Sequence, residues 1–204
     1  MTTKLGLFGS SFDPIHNGHV RPVQDARRRL GLEQVIYLPT ADPPHKPERQ
    51  VAPAFARYAM VELALLSEKE LYASARELTP GQPAYTIDSV ETFRKKKPDA
   101  AIHLLIGSDS FAELPIWRRW RELIAAAHLV VLVRFGWELA KIRGGLHPEL
   151  ARLVDGGGVD LVADHPLDLS ASELRRRLAR GEEPPPDALH PLVVDYARKY
   201  ALYR

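Results

Sequence analysis

The 204-residue chain contains no cysteine. That excludes disulfides, thiolate-ligated metal centres and a cysteine nucleophile. Net charge is scarce: 28 Lys and Arg against 26 Asp and Glu leave a formal +2 at pH 7, too little to argue for a nucleic-acid or membrane partner. Long apolar runs are missing too. No stretch approaches the ~18 residues of a membrane-spanning helix, and the N-terminal apolar stretch, Leu5 to Phe8, is too short for a signal-peptide core. The expectation is a cytoplasmic protein with no nucleic-acid and no membrane partner. What is present is an ordinary globular composition, 45% hydrophobic and 26% charged. The length suffices for a buried core and suggests one domain, 1–204.

Short β-rich runs alternate with helical patterns. LGLF near residue 5, QVIYLPT near 34, AIHLLIGS near 101, HLVVLVR near 128 and VDLVAD near 159 read as strands. Most are continuous apolar runs, the pattern of strands buried on both faces. HVRPVQDARRRLGL, PAFARYAMVELALL, TIDSVETFRKKK, RRWRELIAAA and ELARLV read as helices. The alternation predicts an α/β, Rossmann-like doubly wound parallel sheet with helices on both faces. From about 170 to 204 the pattern is helical only: SASELRRRLARG, a stiff PPPD break, then ALHPLVVDYARKYALY. The Pro-rich DPPHKPE and EEPPPD are loops, too short for domain linkers.

In an open α/β sheet, ligands bind beyond the carboxyl ends of the strands. The first strand runs into GSSFDPIHNGH, the second into PTADPPHK, the LLIG strand into Ser-Asp-Ser, and LVVLV into Arg134. Each of these ends carries polar or basic groups. After the first strand, Pro14 and Asn17-Gly18 mark a turn, and a helix runs from about Gly18 to Leu30. His16 and His19 thus fall at a helix N-terminus, where free N–H groups and a partial positive charge attract phosphate. Gly9 permits a tight turn, and Ser10 and Ser11 add hydroxyl donors. The imidazoles can donate to phosphate oxygens and are cationic when protonated. Taken alone, His-x-x-His also suits half a metal site or a ring that caps a turn, although no Glu follows in the HExxH manner.

The string GSSFDPIHNGH resembles the nucleotidyltransferase signature GxFDPxHxGH. It is joined by PPHK at 43–46, PAYTIDSV at 83–90, IGSDS at 106–110, Trp117, HLVVLVR at 128–134, LSASELR at 169–175 and the terminal ALYR. Together they make the chain, from Phe8 to Arg204, resemble the bacterial nicotinate-mononucleotide adenylyltransferases. There are departures. Ser10 stands where the family usually has a second glycine, Leu169 and Ser172 replace the Ile and Thr of the late motif, and Arg134-Phe135-Gly136 stands for Arg-Pro-Gly. The resemblance implies adenylyl transfer from ATP to nicotinate mononucleotide, a step of NAD biosynthesis. Mg²⁺ would ride mainly on the ATP phosphates, with no protein metal site. It implies that Gly9, Ser10, Ser11, Phe12, His16, Gly18, His19, Gly107, Asp109, Ser170, Ser172 and Arg175 bind ATP, with His16, His19 and Arg175 catalytic. It implies that Lys46, Tyr85, Thr86, Asp109, Trp117 and Arg134 bind the mononucleotide.

Plainer roles stand beside these. Ser170 with Glu173 three residues later fits a capping box. Thr86 and Asp109 fit helix N-caps, Trp117 fits core packing beside Trp120, and a lysine such as Lys46 in a proline loop is commonplace. Competing functions are an adenylyltransferase using nicotinamide mononucleotide or another phosphate acceptor, and a non-catalytic nucleotide-binding module. Phosphopantetheine adenylyltransferases are shorter, usually carry Thr where this chain has His16, and lack the PPHK and AYT blocks. A homo-oligomer stays open.

Overall fold

The computed structural model describes residues 2–41, 51–79, 84–133, 145–163 and 169–204. Among these residues six strands are β1 (Thr3–Ser10), β2 (Gln34–Pro39), β3 (Leu71–Ala73), β4 (Ala100–Gly107), β5 (His128–Leu132) and β6 (Val159–Val162). They form one sheet in the order β3-β2-β1-β4-β5-β6, and the β1–β4, β4–β5 and β5–β6 registers are parallel. Among the described residues the α-helices are α1 (Asn17–Leu30), α2 (Ala54–Leu65), α3 (Thr86–Lys96), α4 (Ser108–Ala112), α5 (Trp120–Ala126), α6 (Pro148–Asp155), α7 (Ala171–Ala179) and α8 (Pro191–Lys199). This is the doubly wound strand order of dinucleotide-binding sheets, with the expected helical C-terminal end.

All five strands expected from apolar runs are present. Their cause is visible in the burial: Leu5, Leu7 and Phe8 of β1, Ile102, Leu104, Leu105 and Ile106 of β4, and Leu129 to Leu132 of β5 are all buried. Such residues pack on both faces of a parallel sheet. At the end of the order, β6 buries only Val159 and Val162. The sixth strand, β3, was not expected. It has three residues and buries only Leu71, so no apolar run announces it. Helix α4 is five residues long, too short to show a period.

Helix α1 ends as its sequence dictates. Arg27, Arg28 and Arg29 fill the last turn, where cations suit the helix dipole. Gly31 then takes φ +65, and the Leu32 N–H donates to the Arg27 carbonyl at 3.0 Å while Leu32 is buried. This is the Schellman ending, in which glycine tolerates a conformation that other residues resist.

The described chain divides into two compact units. One comprises Met1–Phe8, Pro22–Val35 and Tyr85–Pro166, with Leu7, Val23, Leu105, Phe111, Leu123 and Val130 in its core. The other comprises Gly9–Arg21, Ile36–Ala84 and Leu167–Arg204, with Phe12, Ile15, Tyr37, Met60, Leu174 and Val193 in its core.

Candidate active site

The second unit contains the signature loop. The chain leaves β1 through Ser11 and Phe12, and Phe12 adopts φ 47. A left-handed backbone costs a residue with a side chain roughly 1–2 kcal/mol. Packing offsets that cost. The fully buried Phe12 ring lies edge-on to His19, with centroids 5.2 Å apart, and tilted against Tyr37 at 5.5 Å. The Phe12 ring therefore supports His19 from beneath. The rings of His16 and His19 lie 3.9 Å apart, inclined by 35°, with His16 buried and His19 half-buried.

Two hydrogen bonds lock this pair. The His19 N–H donates to the His16 carbonyl at 2.7 Å, and the His16 N–H donates to His19 Nδ1 at 3.3 Å. An accepting Nδ1 places the proton of a neutral His19 on Nε2. His19 thereby keeps a donor at its far nitrogen. Gly18 is required by the same packing: a Cβ there would sit 2.9 Å from His16 Cε1 and Nδ1, and 3.6 Å from Leu169 Cβ. The residue before Ser170 thus lies beside the start of α1. That helix begins at Asn17, whose N–H donates to the Ala188 carbonyl at 2.9 Å and whose Nδ2 donates to the Asp187 carbonyl at 2.5 Å.

Buried Asp13 is the junction of the loop. Its Oδ1 accepts from the Ala52 N–H at 3.2 Å and from the Tyr203 hydroxyl at 2.9 Å. Its carbonyl accepts from Arg175 Nη1 at 2.6 Å, and Nη1 stands 3.7 Å from Oδ2. Arg175 Nη2 donates to Ser172 Oγ at 3.0 Å. Arg175 and Ser172 of α7 are therefore brought to the signature loop. Ser170 occupies the N-cap of α7, but its side chain makes no capping bond. The capping box is not closed either, because Glu173 pairs with Arg176 at 2.7 Å and Arg177 at 3.1 Å. Two charge-assisted bonds outcompete one to a backbone N–H.

Arg57 was not singled out from the sequence, and it is fully buried. Nε donates to the Ala52 carbonyl at 2.8 Å, Nη1 to Ser11 at 2.6 Å and Thr40 at 2.8 Å, and Nη2 to Ala41 at 2.8 Å. It ties the exits of β1 and β2 to the start of α2. Asp13 and Tyr203 were also missed as individual residues, though both lie inside quoted motifs, FDP and ALYR.

The first unit holds the other candidates. Gly107 ends β4 and caps α4, and Asp109 is exposed in that helix's first turn. Tyr85, not Thr86, is the N-cap of α3, with no side-chain capping bond, and Thr86 is the first helical residue. The Arg118 guanidinium lies 4.5 Å from the Tyr85 ring centroid. The segment carrying Trp117 thus reaches the start of α3. Trp117 is half-buried. Trp120 is packed in the core, edge-on to His147 at 5.1 Å. Lys46 and Arg134 lie outside the described residues. Among the described residues, no three His, Asp or Glu gather as a metal site, and no helix is long and apolar enough to cross a membrane.

A family profile described as Cytidylyltransferase-like matches residues 7–177. A protein of Aeromonas salmonicida, described as "Probable nicotinate-nucleotide adenylyltransferase", is 39% identical, over 98% of this chain and 97% of its own. One of Chromobacterium violaceum with the same description is 37% identical over 100% of both. Among solved structures, Plasmodium falciparum nicotinic acid mononucleotide adenylyltransferase complexed with NaAD superposes with a TM-score of 0.77, covering 98% of this chain and 97% of that one. At 19% identity it speaks for the fold. Identity near two-fifths along the whole length, over a signature loop that α7 reaches through Arg175, shows that the chain belongs to the nicotinate-nucleotide adenylyltransferase family.

Proposed function

We propose that this enzyme transfers the adenylyl group of ATP to nicotinate mononucleotide, releasing pyrophosphate and forming nicotinate adenine dinucleotide for NAD biosynthesis. An oxygen of the acceptor phosphate attacks the α-phosphorus. The bond from that phosphorus to the bridging oxygen breaks, and pyrophosphate leaves with the electron pair. The acceptor is already an anion, so no base or covalent nucleophile is needed. The task is to hold mutually repelling phosphates in line and to place donors where charge develops.

The observation that carries this reading is the meeting of Arg175 with the His16–His19 loop through Asp13. His19 would donate from Nε2 to the transferred phosphoryl group, and His16 would bind beside it. Gly9, Ser10, Ser11, Gly18 and the backbone of Phe12 would line the triphosphate, with Ser170, Ser172 and Arg175 on its β and γ phosphates. Gly107 and Asp109 would meet the nucleotide ribose. Tyr85, Thr86 and Trp117 would take the pyridine ring and its carboxylate, with Lys46 and Arg134 on the mononucleotide phosphate. Mg²⁺ would arrive with the triphosphate oxygens, as suits a cation that keeps most of its ligands from substrate and water. We read 1–204 as one nucleotidyltransferase domain acting in the cytoplasm on small molecules, without nucleic acid or membrane, with homo-oligomer formation left to measurement.

Pyrophosphate release with ATP and each of nicotinate mononucleotide, nicotinamide mononucleotide and phosphopantetheine tests the proposal. Turnover fastest with the nicotinate form is expected. Turnover with none of the three would leave a nucleotide-binding module.

A further inference from the structure

Tyr203 is the penultimate residue of the chain, yet its hydroxyl donates to the carboxylate of Asp13 at 2.9 Å, three residues before His16. The ring is largely buried and its Oη also lies 3.9 Å from Met60 Sδ of α2. Burial, and then the Asp13 charge, push its pKa well above the ordinary 10.0, so the hydroxyl stays a donor. The two oxygens of Asp13 differ. Oδ1 holds two donors, Tyr203 and the Ala52 N–H. Among the described residues Oδ2 accepts no hydrogen bond and is buried, with Arg175 Nη1 at 3.7 Å.

We propose that Tyr203 is a positioning residue for adenylyl transfer: its hydrogen bond pins the Asp13 carboxylate, so that Arg175 rests on the Asp13 carbonyl and stays oriented for phosphate. The inference rests on the reading of Arg175 as a phosphate ligand. Its physical basis is a competition. A guanidinium and a carboxylate 3.7 Å apart form a direct, bidentate pair after a small side-chain rotation. Such a pair would tighten an ion contact that already exists and turn the Arg175 donors from an incoming anion. The Tyr203 hydroxyl opposes that rotation by holding Oδ1. Without it, only the longer bond from Ala52, at 3.2 Å, remains. The last turn of the chain thereby acts on the phosphate site without touching substrate.

The test uses the full chain and four proteins: the parent, Tyr203→Phe, Arg175→Ala and the double variant. Pyrophosphate release gives kcat and both KM values, and thermal unfolding gives Tm. Tyr203→Phe keeps the ring, so it should fold. The expected result is a drop in kcat of about tenfold, a KM for nicotinate mononucleotide within about twofold, and no further loss when the change is made in Arg175→Ala. That non-additivity marks action through Arg175, which a purely structural role would not produce. A lowered Tm with unchanged kcat in Tyr203→Phe overturns the proposal, as does an equal loss in both backgrounds. An unchanged kcat in Arg175→Ala alone overturns the Arg175 reading and the proposal with it, so the two failures appear in different proteins.

Discussion

His19 keeps Nε2 as its donor because the His16 N–H occupies Nδ1. Removing the ring removes that donor, and one preorganised donor to developing charge is typically worth ~10²–10³ in rate. His19→Ala should lower kcat by that factor while the KM for ATP changes little, measured by pyrophosphate release at saturating mononucleotide. Gly18 makes a subtler case. An alanine there gains roughly 0.5–1 kcal/mol of helix propensity, but its Cβ would meet the His16 ring at 2.9 Å, and such overpacking typically costs 1–3 kcal/mol. The overpacking cost outweighs the propensity gain by roughly 0–2.5 kcal/mol, and the ring is displaced. Gly18→Ala is expected to lower Tm by up to about 10 °C and to cut kcat at least tenfold. At this scale the sequence made the loop legible, because Gly, Ser and His there have little other use in such density. It did not reveal Arg57. One arginine in PAFARYAM looks like a solvated charge, and only the folded exits of β1 and β2 bring four carbonyls around it.

Between elements, Arg57 is the tie that holds two strand exits to α2. Arg57→Met preserves length and removes every donor, leaving buried carbonyls unpaired at about 1–3 kcal/mol each. A loss of about 3 kcal/mol or more is expected, lowering Tm by roughly 6–12 °C for a chain of this size. The start of α7 offers the opposite outcome. A true N-cap serine costs about 1 kcal/mol when replaced by alanine. Ser170 makes no such bond, so Ser170→Ala should change stability by less than about 0.5 kcal/mol. If its hydroxyl meets the triphosphate, the same variant raises the KM for ATP roughly tenfold. A Tm loss without a KM change would mark Ser170 as a cap alone. The capping box was legible as a pattern and still does not close, because Glu173 has two arginines within reach on its own helix. Pattern fixes the helix boundary, whereas local charge decides the bond. The short β3 and α4 escaped for a related reason: their stability comes from neighbours, not from periodicity of their own.

For the molecule as a whole, the fold class was legible because a parallel sheet buried on both faces writes continuous apolar runs into the chain. The acceptor was legible through the resemblance, with PPHK and PAYTIDSV among the motifs that carry it, and not through residue chemistry alone, since ring selectivity depends on backbone donors that no side-chain code records. Nicotinate mononucleotide carries a ring carboxylate, and the nicotinamide form carries a neutral amide. The N–H groups at the start of α3, around Tyr85 and Thr86, are proposed to receive the carboxylate, with Trp117 against the ring. The Tyr85 side chain makes no capping bond to them, and Arg118 adds a positive charge over Tyr85. Charge-assisted hydrogen bonds are roughly twice as strong as neutral ones. An amide in that place would aim its own NH₂ donor at backbone donors, an uncompensated contact costing ~1–3 kcal/mol. The expected preference is therefore roughly 10- to 100-fold in kcat/KM for nicotinate mononucleotide. Arg118→Ala should narrow that preference by weakening the nicotinate form more than the amide form, because only the carboxylate responds to the lost charge. Parallel kcat/KM measurements on both mononucleotides, with the parent and with Arg118→Ala, check it. Equal efficiencies in the parent would remove the carboxylate assignment at α3 while leaving adenylyl transfer itself untouched.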